Sequence, residues 1–318
     1  MAGMQMAGTK TMALLGTAAL ASLVLLGAGP AKTPAAPATP AVDNAYRQEM
    51  EAWRADREKG LKNENGWFTL VGLFWLHEGE NRVGTDPGGT VIFPEGKSAP
   101  RVATLVRTGD AVRLQAEPGS GITLDGKPVT ALDLKDDASG EASVLHLGSL
   151  SFFVIRRGDK LGVRVKDSQA PALAAFHGLD NFPVDPTWRV TARFEPYNPP
   201  KNVPVPNVLG QVTDTPSPGA LVFERGGQTY RLDTLGQDKD GALSTIFADL
   251  TNGKESYGAG RFLDTEPVKD GKVVVDFNKA YNPPCAFSAF ATCPLPPAQN
   301  KLALKVEAGE KKYGEGHH

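Results

Sequence analysis

The chain has 318 residues, long enough for two modest domains, and 41% hydrophobic with 22% charged content belongs to a folded chain rather than a disordered one. Thirty-four basic and 36 acidic residues leave a formal charge of −2, with no electrostatic footprint for nucleic acid or an anionic membrane. The 35 glycines and 25 prolines, set between short runs of Val, Ile, Thr and aromatic residues, favour many short strands, so a mainly β protein is expected.

At the N-terminus, Lys10 precedes "TMALLGTAALASLVLLGAGPA", an apolar small-residue stretch of signal-peptide length. Cleavage is expected after Ala31, with residues 1–31 as signal peptide and 32–44 as a Pro/Ala linker; the alternative is an uncleaved anchor. Met12 to Ala28 is short for a spanning helix, no cysteine offers a lipid attachment point, and no Arg-Arg pair precedes the run. The expected location is periplasmic or secreted, with no membrane association after cleavage.

"NAYRQEMEAWRADREKGLKNENG" predicts a helix capped by Asn44 and ending at Gly66, with Tyr46, Met50, Trp53, Arg57 and Leu61 on one side, docked on the first β-unit. Through residue 167, period-two segments separated by turns predict strands and hairpins of a sandwich. "GENRVGTDPGGTVIFP", "ITLDGKPV" and "LHLGSLSFFVIRRGDKLGVRV" follow in an order similar to a forkhead-associated β-sandwich. That resemblance implies phosphothreonine recognition only where an Arg follows the first loop Gly and a Ser-x-x-His comes later. Here Thr85 follows Gly84, and Ser98 has no His three residues on. Gly121 to Lys127 matches the start of a phosphate-binding loop, but Pro128 stands where Ser or Thr is required, and Asp125-Gly126 reads as a hairpin turn.

Residues 168–188 predict a bridging segment with a helical piece around Ala172 to Phe176. From 189 to 313, seven short strands, from "WRVTARFEPY" to "KLALKVEAG", predict a second, barrel-like β-module. The expected fold is therefore mainly β, an N-terminal helix with a forkhead-associated-like β-sandwich (45–167) followed by the barrel-like module.

"WFTLVGLFWLHEGENRVG", "NFPVDPTWRVTARFEPY", "NVPVPNVLGQV", "GKESYGAGRFL" and "VVDFNKAYNPPCAFSAFATCPLPPAQNKL" closely resemble the bacterial family of unknown function DUF1684, over about residues 45–313. The resemblance implies no catalytic residue and no cofactor, so cofactors stay unassigned.

The segment 277–300 holds both cysteines, five prolines and three asparagines. Cys285 and Cys293, eight residues apart, are a candidate disulfide that would add about 2–3 kcal/mol. Alternatively the prolines hold a preorganised ligand site, formed by Arg261, Asp276, Asn278, Tyr281, Asn282, Asn300, Glu255 and Tyr257. There Arg261 would clamp an anion, and Asp276 would serve as base or orient Arg261. A nucleophilic Cys285 would draw on His177, which has Asp180 nearby. Two cysteines and one histidine fall short of a structural zinc set, so no metal is expected. The leading expectation is an exported protein that binds a small anionic or polar molecule at its C-terminal module. The alternatives are a hydrolase or thiol-dependent enzyme using the same pocket, and an envelope module that binds another protein. Mature protein recovered from the producing cell is expected to begin at Lys32 by intact mass and N-terminal sequencing; an intact Met1 would select the anchor instead.

Overall fold

The computed structural model describes residues 43–314; the predicted export segment, its cleavage point and nearly all of the linker lie outside them. The molecule is mainly β. Helix α1, Asn44–Lys62, has Asp43 rather than Asn44 at its N-cap position, with no side-chain cap hydrogen bond, and it stops four residues before Gly66. Its inner stripe is the predicted one, with Met50 and Leu61 buried and Tyr46, Trp53 and Arg57 half-buried. Among the described residues, no helix is long and apolar enough to cross a membrane.

Residues 70–167 form two sheets. One runs, in spatial order, Leu70–Trp75, Lys160–Asp167, Leu150–Arg157, Leu145–Leu147, Thr123–Leu124 and Lys127–Pro128. The other runs Val91–Ile92, Gly79–Gly84, Ala103–Thr108, Ala111–Ala116 and Ala131–Leu134, antiparallel except for its first pair. Alternation sends Phe152, Val154, Leu161, Val163 and Val165 of the first sheet and Val83, Leu105, Val112 and Leu114 of the second into one core. The sequence resembling a phosphate loop is a hairpin: Asp125 and Gly126 have φ of 50° and 74°, and positive values at both central residues suit its tight turn.

Residues 189–276 form a four-stranded sheet, ordered Gln228–Asp233, Val212–Arg225, Arg189–Pro206 and Lys272–Asp276, and a three-stranded sheet, ordered Gly236–Gln237, Ala242–Phe247 and Arg261–Pro267. They curve as a half-barrel round a second core centred on Phe277, whose ring lies 5.4–5.8 Å from those of Trp188, Phe223 and Phe247. The expected row of seven short strands is corrected in two places. Residues 189–225 make one long hairpin, because a register shift between Pro196 and Lys201 absorbs the proline run without ending the strand. "KLALKVEAG" is not a strand: beyond a single bridge at Lys301 it is irregular backbone.

A third cluster, with Leu61, Phe68, Phe176, Tyr257, Phe287 and both cysteines, joins α1 to the proline-rich segment. The docking expected for α1 is corrected too. Its polar side chains reach residues 179–310 and not the sandwich, for there they meet carboxylates, carbonyls, a backbone amide and two basic side chains that match them.

Candidate functional site

The asparagines of the predicted site act as backbone splices. The Asp276 carboxylate accepts from the Asn278 amide at 3.0 Å and opens a 3-10 turn at Phe277–Lys279. Asn278 is fully buried: its Nδ2 donates to the Tyr46 hydroxyl and the Asp185 carbonyl, and its Oδ1 accepts from the Asp185 amide. Asn300 Nδ2 donates to the carbonyls of Asp233 and Ile246 while its Oδ1 accepts from the Asp233 amide at 2.7 Å, so its capacity is used inside the protein. Asn282 gives its amide to Glu310 and its Nδ2 to the Lys311 carbonyl, leaving its buried Oδ1 without a partner.

Arg261 does not face a ligand. Among the described residues it is the largest fully buried side chain, paired with Asp249 at 2.6 Å, both without exposed side-chain surface. Its other terminal N–H groups, on Nη1 and Nη2, donate to the carbonyls of Val306, Ala308 and Glu310, while the buried Nε has no partner. These are the carbonyls of the irregular tail, so the guanidinium supplies donors that a neighbouring strand would otherwise provide. Asp276, predicted to orient Arg261, accepts instead from the Tyr46 hydroxyl at 2.8 and 2.9 Å. The tail turns at Gly309, φ 79°, where a Cβ would lie 2.4 Å from the Ala280 carbonyl oxygen.

That turn aims Glu310 inward. Its buried carboxylate accepts from Arg57 Nε of α1 at 2.9 Å and from the Asn282 amide at 2.8 Å, while Arg57 also donates to the Asn282 carbonyl. Burial raises the Glu310 carboxyl above the usual range, against the opposing pull of Arg57. The Arg57 guanidinium lies 4.8 Å from the centre of the Tyr281 ring, and Tyr281 donates its hydroxyl to Asp264 at 2.9 Å. Burial, then the Asp264 charge, raises the Tyr281 phenol.

These groups border an open cleft of about 300 Å³ lined by Trp53, Asp56, Arg57, Asp264, Lys279 and Tyr281. A second hollow of about 200 Å³, sharing Trp53, Asp264 and Lys279, adds Thr265, Glu266, Val274 and Asp276. Of the eight predicted ligand residues, only Tyr281 and Asp276 border this groove. Glu255 is half-buried and contributes its backbone carbonyl to Lys312, and Tyr257 is buried in the third cluster, its hydroxyl unpartnered and its phenol raised by burial. Sequence reasoning missed Asp56, Asp264 and Lys279; Trp53 and Arg57 were legible as helix-stripe residues, but their outer edges as cleft wall were not.

Cys285 and Cys293 are free thiols, each backbone N–H donating to the other's Sγ, at 3.1 and 3.3 Å. The charge acting on both is Arg164. His177, the expected base, lines a different cleft with Glu58, Asp180, Lys312 and Tyr313.

The fold and groove therefore define a mainly β protein with a small polar cleft between its N-terminal helix and its C-terminal half. Residues 174–311 match the family model described as protein of unknown function DUF1684, and the chain belongs to that family. The sandwich lies outside the matched residues. An uncharacterized protein of Haloarcula marismortui, solved by NMR, is 34% identical over 43% of this chain and 78% of its own, with a TM-score of 0.37. Two FHA-domain structures are also similar. The FhaA FHA domain, solved in complex with the intracellular domain of Rv3910, is 19% identical over 30% of this chain and 97% of its own, TM-score 0.22. An FHA domain from work on phosphothreonine-dependent interactions is 20% identical over 31% and 96%, TM-score 0.22. No curated protein matches the chain.

Asp249→Ala leaves the Arg261 charge buried and uncompensated, and is expected to lower stability by about 3–5 kcal/mol in urea unfolding. A loss no larger than that of a surface variant such as Asp240→Ala would show that the pair does not anchor the tail.

Proposed function

We propose that this is an exported protein that binds a small polar molecule, rich in hydroxyl or ammonium donors, in the groove between α1 and strand Arg261–Pro267. The observation that carries this reading is the Asp264 carboxylate, on the cleft wall and held by Ser244 Oγ at 2.8 Å and the Tyr281 hydroxyl at 2.9 Å. A carboxylate has about four acceptor positions, so this fixed group retains capacity for donors from a ligand. Asp56 adds a carboxylate on the same cleft wall, and Trp53 offers an aromatic face against which an apolar or cationic part of a ligand packs.

An anionic ligand is disfavoured. Arg261 is enclosed, Arg57 is held by Glu310, and Lys279 is paired with Glu49 at 2.7 Å, whose carboxyl is lowered mainly by that bond. The volume of about 300 Å³ stands at the lower end for small-molecule sites, which fits a molecule the size of a single sugar or amino acid. The apolar segment Met12 to Ala28 supports export.

Calorimetric titration with monosaccharides, polyols and small amines is expected to give saturable binding by at least one of them. Trp53→Ala and Asp264→Asn should each weaken that binding roughly tenfold or more, the loss of about 1.4 kcal/mol. Saturable binding of phosphate or small carboxylic acids alone would overturn the assignment.

A further inference from the structure

We propose that Cys285 and Cys293 are a peroxide-oxidisable dithiol, a modification site at which an intramolecular disulfide closes residues 285–293 into a covalent ring. The site is separate from the polar groove and does not depend on the ligand assigned there. Its first support is geometry. Each cysteine backbone N–H already points at the other sulfur, at 3.1 and 3.3 Å, so the two residues face one another across the loop. The 3-10 turn Pro284–Ala286 holds one of them, and Pro294 directly follows the other.

The second support is a pair of unused donors. Arg164 is 6% exposed, with a buried Nε that has no partner, and the Tyr257 hydroxyl is likewise buried and unpartnered. Tyr257 packs in the same cluster as both cysteines. Arg164 Nη2 and Arg157 Nε approach the hydroxyl of Thr292, the residue before Cys293, at 3.5 and 2.9 Å. The Arg164 guanidinium lies over the Trp67 ring at 5.3 Å and, among the described residues, has no carboxylate within ion-pair distance, so a thiolate beside it would supply the opposing charge that its enclosure lacks. The thiol pair responds accordingly. Cys285 is lowered, chiefly because its thiolate accepts a hydrogen bond from the Cys293 thiol, with Arg164 assisting; Cys293 is raised by the same bond. One sulfur is thus poised to attack while the other keeps its proton.

Burial selects the oxidant. Cys285 is 0% and Cys293 4% exposed, which excludes direct exchange with a protein disulfide in the folded state and admits a reagent as small as hydrogen peroxide. The Cys285 thiolate attacks one peroxide oxygen and the O–O bond breaks. Hydroxide leaves, takes up a proton and becomes water, and Cys285 is now a sulfenic acid. The Cys293 sulfur then attacks that sulfur, the S–O bond breaks, and a second water leaves with the thiol proton. Two electrons pass from the two sulfurs to one peroxide, which is reduced to two waters.

The test uses the whole reduced protein, treated with hydrogen peroxide, quenched by alkylation and read by intact mass and peptide mapping. The expected product has lost two hydrogens, carries a 285–293 crosslink and melts a few degrees higher. Cys293→Ser should accumulate a sulfenic acid on Cys285 that dimedone traps. Arg164→Met should slow oxidation roughly tenfold, and Arg164→Lys should recover most of the rate, because charge and not shape is what the step needs. The wild-type result stands on its own should a variant fail to fold. Thiols that stay reduced, oxidise independently to sulfinic acids or link two molecules would overturn the proposal, as would an Arg164→Met protein that reacts at the wild-type rate.

Discussion

The C-terminal half is organised around a guanidinium that water never reaches. Arg261 takes its charge balance from Asp249 and gives its other Nη donors to the carbonyls of Val306, Ala308 and Glu310. Those carbonyls belong to a stretch with no strand partner, and without the Arg261 donors most of them would be buried polar groups lacking a hydrogen bond. The tail therefore follows the path that the arginine dictates. Its path places the Glu310 side chain where Arg57 and the Asn282 amide meet it, and Arg57 in turn lies over Tyr281 beside the groove. One buried cation thus reaches the cleft wall through three successive contacts, Arg261 to the Glu310 carbonyl, Glu310 to Arg57, and Arg57 over the Tyr281 ring.

This arrangement also explains why so many polar groups are tolerated inside. Asn278 and Asn300 stand in for backbone where the chain is irregular, and Asp233 gathers Tyr197, Gln299 and the Asn300 amide oxygen through its own amide. Each such residue is satisfied on nearly every atom, which is the condition under which polar interiors fix a single conformation rather than loosen it. The exceptions among the described residues are single atoms of Arg54, Arg164, Asn181, Tyr257, Arg261 and Asn282, of which Tyr257 packs in the cluster that holds the thiols.

The strands of the sandwich were legible because alternation there has one inner face: Phe152, Val154, Leu161 and Val163 recur at every second position and meet a matching sheet. The hairpin at Asp125-Gly126 was legible from its turn chemistry. The long hairpin was not, since prolines at 196, 199 and 200 read as breaks, while a local register shift lets the strand run through them. The tail at 301–309 alternates like a strand, yet its carbonyls are met by a side chain, which periodicity does not encode. At the site, residues 277–300 are rich in asparagine and proline, and the structure uses Asn278 and Asn300 to hold backbone. The same pattern did not distinguish a residue that holds the backbone from one that faces solvent, because Asn278 and Asn300 are chemically identical to ligand-binding asparagines. Asp264 and Lys279 were hidden because the groove is assembled from α1 and strands more than two hundred residues later.

That separation has a consequence for how the molecule is made. Tyr46 and Arg57 find their partners 230 and 253 residues further along the chain. The helix is the first described element to be synthesised, and its docking surface is complete only when Glu310 has emerged. During synthesis at a typical rate of about 5–20 residues per second, α1 waits on the order of ten seconds or more with its apolar stripe uncovered. Closing so long a loop is a slow, late event. The groove is accordingly completed late, and a chain cut before Gly309 keeps the partners of Tyr46 and Glu49 but loses the Glu310 carboxylate that holds Arg57 on the cleft wall.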